Sequence, residues 1–188
     1  MRINKHKFNP KNKDRLEKKE RQDFYDIEAA LNWFGIEQDS IVADVGAGTG
    51  FFTRRLAKLA KKVYAIDISS ELLDEIKKNK AGNIEILLAE ENKIPIESES
   101  VDLVFLSYVV HEFNDLTKSL AEIKRSLKPG GKIGIIEWEK VEMDEGPSYN
   151  ERIASTEMEG LLENNGIKLL KIKSLAKGHY AILSGRGG

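Results

Sequence analysis

The stretch VADVGAGTG, Val42 to Gly50, sets three glycines, Gly46, Gly48 and Gly50, directly behind a β-branched run that carries one acid, Asp44. A strand that ends in glycines and opens a helix is built for close backbone approach to a ligand. No Cβ stands in the way, and the first turn of the helix offers free N–H groups. The spacing here is G-x-G-x-G. The dinucleotide fingerprint G-x-G-x-x-G would put its third glycine at Phe51, where a large ring opposes the close helix–strand packing that glycine permits. That argues against a nicotinamide dinucleotide. A phosphate loop is absent, because no Gly-Lys-Ser/Thr follows.

On either side of this stretch, short apolar runs alternate with helical patterns. IVADV (41–45), VYAID (63–67), IEILL (84–88), VDLVFLS (101–107) and KIGIIEW (132–138) read as strands. Several are almost continuously apolar, as expected of a parallel sheet covered on both faces. TGFFTRRLAKLA follows the first strand as a helix. SSELLDEIKKN follows the second, with Ser69 or Ser70 as its N-cap. Leu116, Leu120, Ile123 and Leu127 make one helical stripe after the fourth strand, and KPGG (128–131) stops that helix. A helix near 156–165 ends at Gly166, with Thr156-x-x-Glu159 as a candidate capping box. IKLLKIKSL (167–175) and HYAILSG (179–185) lie too close for a parallel crossover, so they predict an antiparallel hairpin. Ahead of the sheet, Ile27, Ala30, Leu31 and Phe34 mark a helix with one buried stripe.

Asp67 ends the second strand, 21 residues beyond Gly46. A carboxylate there can accept both hydroxyls of a ribose, or it can cap the next helix. The composition narrows the chemistry further. The 188 residues suit one domain, with 40% hydrophobic and 32% charged residues and a net charge of −1. There is no cysteine, which excludes disulfides, thiolate metal sites and thiol nucleophiles; with three histidines, a histidine-built metal site is not expected. No apolar run is long enough to span a membrane and no signal peptide is evident, so a cytoplasmic location is expected. Residues 1–21 carry nine Lys/Arg against three acids, a local +6 that reads as a solvated arm or as a contact for an anionic substrate such as RNA.

Taken together, D-x-G-x-G-x-G, the acid ending the second strand, AEENKIP (89–95), VDLVFLSYVVHEFND (101–115) and LKPGGKIGIIEW (127–138) resemble a class I S-adenosylmethionine-dependent methyltransferase. Among these, the chain looks most like the small ubiquinone-biosynthesis-like methyltransferases, from about Ile41 to Leu183. The resemblance implies S-adenosylmethionine as cofactor, with S-adenosylhomocysteine as product. It implies Asp44 near the methionine amino group, Gly46, Ala47, Gly48 and Gly50 along the cofactor, and Asp67 on the ribose hydroxyls. Ile68 would pack on the adenine. Glu90 would accept from the adenine amino group, and Glu91 would offer its backbone N–H to the ring. Ser107 would face the reactive end. Here Ala89 and Glu90 stand where the family pattern has Gly and Asp.

The expected architecture is a Rossmann-like, doubly wound α/β sheet of seven strands, order 3-2-1-4-5-7-6, parallel except for the C-terminal hairpin. Residues 1–38 are read as a basic arm with lid helices, 39–185 as the cofactor-binding domain and 186–188 as a tail. Methyl transfer needs a base only when the nucleophile must first lose a proton. His111, Glu112 and Glu137 are the candidates, because the first two follow strand four and Glu137 ends strand five at the ligand-binding edge; the other reading of His111 is a hydrogen-bonded residue that fixes its loop. Trp138, Tyr149, Arg152 and Tyr25 are candidate substrate contacts, with 139–152 as a covering loop. No Asn/Asp-Pro-Pro-Tyr-type motif follows strand four, as would be expected of enzymes methylating base amines, and the lack of cysteine argues against an arsenite methyltransferase. A small-molecule acceptor is the first expectation. An RNA or protein acceptor reached by the basic arm, and a non-catalytic cofactor sensor, are the alternatives.

Overall fold

The structure is a computed structural model that describes residues 9–11, 24–176 and 178–187. Most of the basic arm therefore lies outside the described residues. The central strand β1 (Ile41–Val45) pairs in parallel with β2 (Lys62–Asp67) on one side and β4 (Val101–Ser107) on the other. β3 (Ile84–Leu88) extends the sheet beyond β2, and β5 (Leu127–Trp138) beyond β4. β7 (His179–Gly185) runs antiparallel between β5 and β6 (Lys168–Leu175), closing the order 3-2-1-4-5-7-6.

Side-chain alternation divides this sheet into two cores. Val42, Val63, Ala65, Leu103, Phe105 and Ile136 face α1 (Ile27–Trp33), α2 (Thr53–Leu59) and α3 (Ser70–Lys78). Ala43, Ile66, Val104, Leu106, Ile133 and Ile135 face α4 (Leu116–Ser126) and α5 (Ser155–Asn164). Each fully buried aliphatic side chain contributes roughly 1.5–3 kcal/mol, so the apolar runs that mark the strands also hold the two helical layers on. Ser69 caps α3, its hydroxyl accepting the Leu72 N–H at 3.3 Å.

Three boundaries differ from the sequence reading. The α2 helix starts at Thr53, because Gly50 at φ +88° keeps the preceding residues in turns. KPGG follows the end of α4 at Ser126 and bulges out of β5, since Val101 pairs with Leu127 while Leu103 pairs with Lys132. Thr156 is not an N-cap: α5 begins at Ser155 behind Ala154, and its entry is held by the Glu139 carboxylate, which accepts the Ser155 N–H at 3.1 Å. The capping box of this region is instead Ser148 with Glu151, on the short 3-10 turn Tyr149–Glu151.

Candidate active site

The parallel strands all end at one edge, and the loops leaving them line a partly open cavity of about 1140 Å³. The glycine loop forms one wall. Gly46 and Ala47 both donate their N–H to the Ile66 carbonyl, at 2.8 and 3.0 Å, which folds the loop back over β2. Gly46 takes φ +79°, and a Cβ there would stand 2.5 Å from Val109. Only glycine fits that corner.

Asp67 closes this wall. Its Oδ2 accepts the Gly48 N–H at 2.8 Å and its Oδ1 the Ser69 N–H at 2.9 Å. Each oxygen keeps a further lone pair, so the fixed carboxylate can still take two hydroxyl donors. Burial pushes the Asp67 carboxyl above its ordinary range, against the opposing pull of the Ser69, Gly48 and Ile68 N–H groups. Beside it Ile68 is 49% exposed, an apolar side chain left facing the cavity. Glu90 and Glu91 lie across from it, and Glu91 accepts from the Asn114 side-chain amide.

The other wall belongs to β4 and β5. Ser107, Tyr108, His111, Glu112 and Trp138 line it. His111 and Glu137 are locked together. The imidazole Nδ1 is 2.7 Å from Glu137 Oε2, which also accepts the His111 backbone N–H at 3.2 Å. Glu137 Oε1 takes the Trp138 N–H at 3.1 Å. A buried carboxylate is costly unless it is paired, and here two backbone N–H groups and the imidazole Nδ1 meet it. Burial pushes the His111 imidazole down, but Glu137, aided by Glu112 and Glu151, more than offsets this and holds it above its ordinary value. Glu112 lies further off, 3.9 Å from Nε2.

Other candidates stand back from the cavity wall. Asp44 sits beneath the loop, 1% exposed, accepting the Thr53 hydroxyl at 2.6 Å. Gly50 packs toward Ile76 of α3. Tyr149 is 43% exposed, with Lys140 Nζ 5.7 Å from its ring. Arg152 is buried and organises the covering loop: its guanidinium donates to the carbonyls of Pro147 at 3.0 Å, Glu145 at 2.6 Å and Val141. The loop so held places Glu145, Gly146, Pro147, Ser148 and Glu151 on the cavity, with Gly146 against the Trp138 indole. Tyr25 reaches the site indirectly, its hydroxyl 2.9 Å from that of Tyr108.

Tyr108 and Phe24 were not singled out by sequence reasoning, yet both line the cavity. Tyr108 adopts φ +56°, strain of the kind that concentrates at functional sites, and packs 5.3 Å from Trp138. Its place directly after Ser107 at the strand end was the available signal. Among the described residues no group of three or more His, Cys, Asp or Glu is placed to hold a metal, and no helix is long and apolar enough to cross a membrane.

Comparison with known proteins points one way. A family described as "Methyltransferase domain" matches residues 43–135. The crystal structure of a SAM-dependent methyltransferase from Aquifex aeolicus superposes with a TM-score of 0.91 at 34% identity, covering 95% of this chain and 99% of that one. A methyltransferase-like protein of Schizosaccharomyces pombe is 40% identical over 104 residues, 55% of this chain and 40% of its own length. The malonyl-[acyl-carrier protein] O-methyltransferase of Serratia marcescens is 36% identical over 90 residues, 48% of this chain and 35% of its own length. The chain thus spans about two fifths of the length of the curated relatives it matches.

Proposed function

This chain belongs to the class I S-adenosylmethionine-dependent methyltransferases, and we propose that it methylates a small molecule inside the cavity at the carboxyl edge of its sheet. The observation that carries this reading is the continuity of that cavity. One continuous cleft runs from the glycine loop and Asp67 to Ser107, His111 and Trp138, and residues of the 139–152 loop line it as well. Its volume of about 1140 Å³ exceeds the usual small-molecule range of roughly 300–1,000 Å³. That leaves room for cofactor and a small acceptor together.

The residues fit the cofactor. The Gly46 corner, which a Cβ would fill, lets backbone approach a ligand, and Asp67 keeps lone pairs for two hydroxyls. In this reading Gly46, Ala47 and Gly48 line the methionine and ribose portion, Asp67 holds the ribose, Ile68 packs on the adenine and Glu90 accepts from its amino group. Asp44, beneath the loop, holds α2 through Thr53 and so keeps the loop in shape. Ser107 stands at the turn toward the acceptor. When bound, S-adenosylmethionine supplies an activated methyl carbon on a sulfonium sulfur. The chain's task is then to align the acceptor and exclude water. Trp138, Tyr108 and Phe24 give the acceptor end an apolar, aromatic wall, and the Arg152-tied loop covers it.

Calorimetric titration of S-adenosylmethionine and S-adenosylhomocysteine tests this directly. Micromolar binding, about −8 kcal/mol, that Asp67→Ala weakens severely is the expected result. A folded protein that binds neither would overturn the reading. An acceptor that is a polyanion would show itself by binding that weakens steeply with salt.

A further inference from the structure

We propose that His111 takes the proton from the methyl acceptor, with Glu137 as the positioning residue that fixes its tautomer, so that the acceptor atom is a protic one: a hydroxyl, thiol or protonated amine. This rests on the methyltransferase reading above.

The geometry separates the two nitrogens. Nδ1 faces Glu137, which does not line the cavity, whereas His111 does. A carboxylate only accepts, so at 2.7 Å it requires the proton on Nδ1 and leaves the lone pair on Nε2. Among the described residues, the ion-pair partner of Nε2 is Glu112, at 3.9 Å, beyond hydrogen-bond length. A purely structural role would be met by the backbone bond from His111 N to Glu137, which already ties the turn after β4 to the end of β5. The ring bond adds something a tie does not need: orientation of the imidazole and a countercharge for its protonated form.

In the proposed step the acceptor's proton passes to the Nε2 lone pair. The electrons of the broken bond stay on the acceptor atom and become its nucleophilic pair. The imidazolium is held by Glu137 until the proton leaves to water. A methyl acceptor without such a proton would have no use for this arrangement. Three carboxylates face the ring: Glu137 from β5, Glu112 from its own turn and Glu151 from the covering loop. Together they make it a stronger base than a free imidazole, so the reaction should gain rate as pH rises through a midpoint above about 6.5.

The test has two arms, both on the full chain saturated with S-adenosylhomocysteine or S-adenosylmethionine. Nitrogen-15 NMR of the imidazoles, with His111→Asn to assign the signal, reads the tautomer without any acceptor. The expected neutral ring carries its proton on Nδ1 and titrates above the ordinary imidazole value, and Glu137→Gln lowers that midpoint. In the second arm, methyl transfer is followed by mass spectrometry for pairs that differ by a proton: thiophenol against thioanisole, benzylamine against N,N-dimethylbenzylamine. Where a protic member is methylated, His111→Asn should lower kcat by about 10²–10⁴-fold with KM little changed, and Glu137→Gln should move the acid limb of kcat/KM to lower pH. A proton found on Nε2, transfer confined to the proton-free members, or a wild-type rate in His111→Asn would each overturn the proposal while leaving the methyltransferase reading intact. Failure to bind S-adenosylhomocysteine would instead strike that earlier reading.

Discussion

At Gly46, a backbone angle and a contact make the same demand. Its φ of +79° disfavours any side chain, and its missing Cβ would lie 2.5 Å from Val109. A left-handed residue with a Cβ costs roughly 1–2 kcal/mol, before the collision is counted. Gly46→Ala should therefore lower the melting temperature and abolish cofactor binding, because relief of the clash must move the loop or the turn that carries Val109. Thermal unfolding and calorimetry on the same preparation check both. Asp67 makes a different prediction. Burial raises its carboxyl, so protonation begins at a higher pH than for a free aspartate. Protonation turns one oxygen into a donor and leaves the group a weaker acceptor. Affinity for S-adenosylhomocysteine should hold at neutral pH and fall as pH drops through that raised value, with a flat profile in Asp67→Asn. The stability sign is opposite. The folded state binds a proton the unfolded one has lost, so Asp67 favours folding at low pH and ceases to as pH rises through its folded value.

Elements show where the sequence was legible and where it was not. The strands were readable because burial on both faces leaves little room for polar residues, and IVADV and VDLVFLS carry that constraint openly. The start of α5 was not, because its cap is the carboxylate of Glu139, sixteen residues earlier, and a tertiary contact leaves no mark in the local pattern. Tyr108 is legible by its place after Ser107 at the strand end, but its strained backbone is not: its N–H reaches the Ile136 carbonyl at 2.8 Å, a partner on another strand. Arg152 was legible as a charge but not as a direction. It faces three carbonyls of its own loop rather than the cavity. Arg152→Lys cannot reproduce that planar fork, so hydrogen exchange across residues 141–151 should quicken while the core strands stay protected. The His111–Glu137 link, which joins the turn after β4 to β5, adds a pH signature. A raised imidazole contributes stability fully present below its unfolded value, about 6.5, and lost as pH rises through the folded value. The melting temperature should decline across that window, and decline less in Glu137→Gln.

At the scale of the whole molecule, the two cores and the cavity share one sheet but not one stability. Ile66 belongs to a core, and its carbonyl takes the N–H groups of Gly46 and Ala47; Asp67, the next residue, lines the cavity. A ligand that binds across the ends of β1, β2 and β4 therefore bridges loops whose strands are already fixed, and it should stabilise the native state without reorganising it. Mass action sets the size: ligand at 100 times its dissociation constant adds about 2.7 kcal/mol. For a chain of this length each kcal/mol is worth roughly 2–4 °C, so saturating S-adenosylhomocysteine should raise the melting temperature by roughly 5–10 °C. The variants divide by wall. Asp67→Ala should lose most of the shift, because it removes the acceptor that the glycine loop uses and that is proposed for the ribose. His111→Asn should keep it, because His111 lies on the β4–β5 wall, proposed for the acceptor. A shift lost equally in both would mean that the two walls are not separate sites but one cooperative unit, and the division of labour between β1–β3 and β4–β5 would have to be redrawn.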